Sequence, residues 1–165
     1  HGFQLWINMP AEEKMSKPEY YYIDADKIST HKDEEKFIKI IAGEFQETKG
    51  SIKKHNIDPV YFDVELEKDK EFKHELPLSH NSFIYLIEGE INIGSKLHEL
   101  IDDSTLIILA KGEHLNVCAL KKSKFLLISG KPIGEPIARG GPFVMNTKEE
   151  IADAIKDYHS GTFVK

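Results

Sequence analysis

Residues 60–67, VYFDVELE, alternate apolar and polar side chains without a break. Successive side chains of a strand point to opposite faces, so Val60, Phe62, Val64 and Leu66 share a dry side and Tyr61, Asp63, Glu65 and Glu67 a wet one. The rest of the chain repeats the theme in shorter pieces. Phe37 to Phe45 reads as a strand interrupted at Gly43, and the polar connector AEEKMSKPEYYY leads into a Tyr-rich strand at Tyr20. Phe83 to Ile87 and Ile91 to Ile93 read as a hairpin around Glu88-Gly89-Glu90. Leu106 to Leu109 and Phe125 to Ser129 are apolar throughout, the pattern of buried strands. Between these, STHKDEEK (Ser29 to Lys36) and ETKGSIKKHNIDP read as solvated loops. A helical period occurs only near the C-terminus, where Thr147 and Glu150 form a capping box and Ile151, Ala154, Ile155 and Tyr158 make one apolar stripe. Many short strands followed by one helix predict an all-β barrel or sandwich closed by a C-terminal α-helix.

With 165 residues the chain fits one ordinary domain. Its 22 Lys and Arg against 28 Asp and Glu give a net charge of −6, with no basic block, which disfavours phosphate-driven nucleic-acid binding. The single Cys118 lies among apolar residues in HLNVCAL, the setting of a buried, inert thiol in a reducing compartment. No apolar run approaches the ~20 residues of a spanning helix and no secretory signal opens the chain, so the expected location is cytoplasmic, without a membrane partner. HGFQLWINMP starts inside an apolar, strand-like pattern and without Met, from which a preceding segment is expected.

The chemistry hinges on ELPLSHNSFIYLIEGEINIG, Glu75 to Gly94. Metal-binding barrels of the cupin type place two His one residue apart on a strand, because residues i and i+2 face the same way, and a last His on a later strand. Counted back from Gly89, the paired positions fall on Glu75 and Pro77, and Pro offers no ligand atom. In LAKGEHL the last position falls on Leu115, with His114 one residue out of phase, and a one-residue slip turns a side chain to the opposite face. The eight His (His1, His31, His55, His74, His80, His98, His114 and His159) contain no HxH and no HxxxH. The reading is therefore of no metal, catalytic or cofactor site in this chain. The alternative is an unorthodox metal site in which His74, Glu75, His80 and His114 converge in space. GKPIGEPIARGG, with Lys131 and Arg139, lacks the order of a phosphate loop, and EYYY with Trp6 lacks the basic residues of a base-stacking platform.

HGFQLWINMPAEEKM, HNSFIYLIEGEINIG and above all GKPIGEPIARGGPFVMNTKEEIADAIKDY resemble the pirin family, whose members carry two cupins. One departure is Gly140, where a bulkier residue is expected. The resemblance covers the second half of a typical pirin and implies residues 1–18 as a crossover from an N-terminal cupin, 19–146 as the C-terminal cupin and 147–165 as a helix and tail. It further implies that iron belongs to the N-terminal cupin, which precedes this segment, and that the C-terminal cupin is metal-free. Family roles that follow are quercetin 2,3-dioxygenase activity and, in eukaryotes, nuclear transcriptional co-regulation, both carried by the metal-bearing half. The partners implied are that N-terminal cupin, or a protein surface or second copy covering Phe3, Leu5 and Trp6.

Overall fold

The computed structural model describes residues 2–52, 57–94 and 101–164. They form two compact units, Ile23–Pro132 and a second made of His1–Tyr22 with Ile133–Lys165.

The first unit is an antiparallel sandwich. Its strands are β1 (Ser29–Lys32), β2 (Lys36–Ala42), β3 (Glu44–Phe45), β4 (Thr48–Lys49), β5 (Val60–Leu66), β6 (Glu71–Glu75), β7 (Asn81–Glu88), β8 (Glu90–Ile93), β9 (Ile101–Asp102), β10 (Thr105–Ile108), β11 (His114–Ala119) and β12 (Ser123–Gly130). One sheet has the order β1-β2-β5-β12-β7-β10 and the other β6-β11-β8-β9, while β3 and β4 form a separate hairpin. The alternation of β5 is realised as read: Val60, Phe62, Val64 and Leu66 are buried, with their neighbours half-exposed. They meet Ile38, Ile40, Ile84, Leu86, Phe125 and Leu127 of the same sheet and Phe72, Ile91, Leu115 and Val117 of the facing one in a single core. Each such large side chain contributes about 1.5–3 kcal/mol by leaving water, which is why the period-two pattern decides the fold.

The expected hairpin at Gly89 is not one. β7 pairs with β12 and β10, whereas β8 pairs with β11 and β9, so the turn carries the chain from one sheet to the other. Gly89 has φ +98°, and a Cβ there would overlap the Ser123 hydroxyl and come within 2.5 Å of the Lys122 carbonyl oxygen. Buried Ser123 fixes this crossing: its hydroxyl oxygen accepts the Glu90 N–H at 3.1 Å and its proton reaches the Lys121 carbonyl at 2.8 Å.

Four further expectations are corrected. Ser29–Lys36 is not a loop: Ser29–Lys32 pairs along β2, and the tight turn after it is held by the Asp33 carboxylate, which accepts the N–H groups of Glu35 and Lys36, both at 2.8 Å. This is the Asx-type turn that Asp favours. Tyr20, Tyr21 and Tyr22 form no strand and are exposed. Leu106 to Ile108 is an edge strand, not a buried one, with Leu106 56% and Ile108 73% exposed. Cys118 faces outward from β11, half-buried, with its Sγ 3.5 Å from Glu71 Oε1. Burial and then Glu71 push its thiol pKa up, so the group stays protonated.

In the second unit, β13 (Ala138–Gly140) pairs with β14 (Phe143–Met145), and α1 (Lys148–Ser160) follows. Residues 133–146, grouped with the barrel in the sequence reading, cluster here with the helix. The capping box forms as read: Thr147 Oγ1 accepts the Glu150 N–H at 3.1 Å, while the Glu150 carboxylate accepts the N–H groups of Thr147 at 2.9 Å and Asn146 at 2.8 Å. Ile151 and Ala154 are buried against Met145, and Ile155 and Tyr158 lie toward the edge of the stripe. Gly140 has a steric reason, since a Cβ there would overlap Ile151 Cγ2.

Candidate functional site

β6 and β11 run side by side with Glu75 opposite His114, His74 opposite Leu115 and Phe72 opposite Val117. Alternation turns Phe72, His74 and Leu76 to the interior and leaves Glu71, Lys73, Glu75 and Pro77 exposed. On β11, Leu115 and Val117 are buried and His114 is exposed. The count back from Gly89 is thus one residue out of phase on β6: the inward pair is His74 and Leu76, not Glu75 and Pro77. The physical cause is the turn after Leu76, closed by the His80 N–H on the Pro77 carbonyl at 2.9 Å, which breaks the spacing between β6 and Gly89. Continuing the alternation from Phe72 gives the correct phase.

A cavity of about 730 Å³ opens at this end of the sandwich, lined by His74 and Leu115 with their strand neighbours, and by Glu44, Phe45 and Gln46 across from them. The hairpin residues Phe45 and Gln46 and the inward Leu76 were missed by sequence reasoning. Gln46 has φ +53°, a conformation that non-glycine residues seldom adopt, at the turn that sends buried Phe45 inward. His74 sits in an aromatic cage, its ring centroid 5.0 Å from Phe62 edge-on, 5.9 Å from Phe45 stacked and 6.2 Å from Phe72. Burial lowers its pKa, against a weaker upward pull from Glu75, so the imidazole is neutral at neutral pH.

Of the four residues of the alternative metal site, His74, Glu75 and His114 line this cavity, but their side chains do not share a face. His80 lies elsewhere and is buried; its Nδ1 is 3.1 Å from Ser129 Oγ, which in turn is 2.8 Å from Ser82 Oγ. Lys111 Nζ donates to the His80 carbonyl at 2.6 Å. Burial also lowers the His80 pKa, opposed by Asp58, as befits a neutral structural imidazole. Among the described residues no three His, Cys, Asp or Glu side chains come together as metal ligands, while His1, His55 and His98 lie outside the described residues. One imidazole beside Leu76 and Leu115 does not fit the donor set of an iron site, and this wall supports no step through a metal.

Residues 61–164 match the family described as the pirin C-terminal cupin domain. The chain belongs to the pirin family. A pirin-like protein of Caulobacter vibrioides is 35% identical over 98% of this chain and 58% of its own length. Human pirin is 33% identical over 97% of the chain and 56% of its own. The solved quercetin 2,3-dioxygenase of Acinetobacter baumannii superposes with a TM-score of 0.86 at 32% identity, covering 96% of this chain and 55% of that one. The chain therefore spans little more than half the length of these pirin relatives. Among the described residues of this pirin domain, no helix is long and apolar enough to cross a membrane.

Proposed function

We propose that this chain is the metal-free half of a two-cupin pirin, a structural and partner-binding domain that packs beside an N-terminal cupin holding iron. The observation that supports it most directly is the inward wall of β6 and β11, where His74 stands alone among Phe72, Leu76, Leu115 and Val117. The partner surface we assign is the segment of Phe3, half-buried Leu5 and Trp6, the last 76% exposed. Metal analysis of the purified chain after loading with Fe(II) and dialysis tests the reading; a stoichiometric ion would overturn it. Sedimentation of wild type and Trp6→Ala tests the surface, since a second copy on that segment predicts an association that the variant loses.

A second reading concerns the longer protein: that it oxygenates flavonols in the manner the name of the Acinetobacter relative gives. What supports it is the 32% identity over nearly the whole of this chain. Flavonol-dependent oxygen uptake by a protein spanning both cupins, and none by this chain alone, is the expected result.

A further inference from the structure

We propose that the chain pairs with a second copy of itself along β10, the two strands running antiparallel about a two-fold axis at Ile107. This goes beyond the structural role above and uses a surface other than Phe3, Leu5 and Trp6, so it stands or falls separately. β10 ends its sheet, and no described strand pairs with its far side. An edge strand leaves N–H and C=O groups open to another chain, and natural edges are guarded against this by charge. The edges β1 and β6 follow that rule, reading STHK and EFKHE. β10 reads TLII and carries no charge at all. Leu109 donates its N–H to the Ser82 carbonyl at 3.0 Å, and the ladder sets Ile107 against Ile84 and Thr105 against Leu86. Main-chain groups alternate in direction along an antiparallel strand, so those of Leu106 and Ile108 point away from β7. The Leu106 and Ile108 side chains stand exposed on the outer face, beside half-buried Tyr85 and Phe83 of β7. The open edge thus carries a continuous apolar strip.

A two-fold contact uses the same patch on both copies, so the patch must complement itself. An axis at Ile107 sets Leu106 of each copy against Ile108 of the other, both with open main-chain groups, and Ile107 against itself. The same axis brings Asp103, just before the strand, to Lys111, just after it, of the other copy, and both are exposed. Lys111 Nζ donates to the His80 carbonyl and to Asn81 Oδ1, which leaves one of its three protons for that carboxylate. A slip of one residue would set open groups against groups already bonded to β7, and a slip of two would part Asp103 from Lys111.

Sedimentation equilibrium of the full chain over a concentration series is the test, and the expected mass rises from that of one chain to that of two. Ile108→Pro keeps an apolar residue and removes an N–H that β7 does not use, so it should weaken the dimer by roughly tenfold or more, one lost hydrogen bond per copy. Asp103→Lys and Lys111→Glu should each weaken it, and the double variant should recover it. Trp6→Ala should leave it unchanged. In a Cys118→Ser background, Ile107→Cys should give a disulfide-linked dimer with oxidised glutathione, while Thr105→Cys, set opposite Leu109, should not. A monomer at every concentration would overturn the proposal. A dimer that Ile108→Pro leaves intact, one that Trp6→Ala abolishes, or one that the double charge variant fails to recover would do the same. Should Ile108→Pro fail to fold, absence of the Ile107→Cys cross-link serves as the overturning result.

Discussion

Leu115 of β11 lies directly across the ladder from His74 of β6, and both side chains face the interior. A single isobutyl-for-imidazole choice at 115 thus decides whether the inner wall carries one nitrogen ligand or two. Leu76 follows His74 on the same face and is buried as well. The double variant Leu76→His, Leu115→His is expected to retain stoichiometric Ni(II) or Zn(II) through dialysis where the wild type does not. It should also lose about 1–3 kcal/mol per buried imidazole when metal-free, read as a lower urea midpoint that metal restores.

Gly89→Ala should destabilise the sandwich by about 2–4 kcal/mol, because it combines a left-handed backbone with a side chain forced onto Ser123. Ser123→Ala in the same background should relieve part of the overlap but lose the hydrogen bond from Glu90, so it rescues only partly. Equilibrium unfolding of the wild type and these two variants checks this.

Stability should fall as pH drops below about 6.5, the ordinary histidine value. His74 and His80 both have folded pKa values lowered, by burial first. The unfolded chain therefore binds protons that the folded chain refuses, and stability declines until the pH passes the folded values. Replacing His74 with Phe should flatten this slope. A separate loss is expected between about pH 4 and 2 from Asp33: burial opposes its ionisation, but the N–H groups of Glu35 and Lys36 outweigh it and hold its pKa at about 2. Its contribution is present above the ordinary carboxylate value and disappears as the folded carboxyl protonates.

Thr147→Ala should cost about 1 kcal/mol through loss of the cap on the Glu150 N–H, and Thr147→Ser should recover most of it. Thermal unfolding followed by helical circular dichroism is the measurement.

What the sequence made legible were features whose signal is local. The dry face of Val60 to Leu66 and the Thr147–Glu150 box each depend on residues within one element, and both formed as read. The Gly89 crossing escapes a sequence reading because a Gly between two apolar runs reports a sharp turn but not the strands on either side of it. Likewise Leu106–Ile108 and Phe125–Leu127 are equally apolar, and only the sheet order makes one an edge and the other a centre. His74 was within sight as a candidate, yet its inward direction required the alternation of β6 itself, not a count across the Pro77 turn.

Since the chain steps from one sheet to the other across Gly89 alone, there is no slack between Glu88 and Glu90 in which one sheet could open while the other stays shut. Amide protons of β7 and β8 should therefore exchange with solvent at a common, slow rate, and the sandwich should come apart in one step.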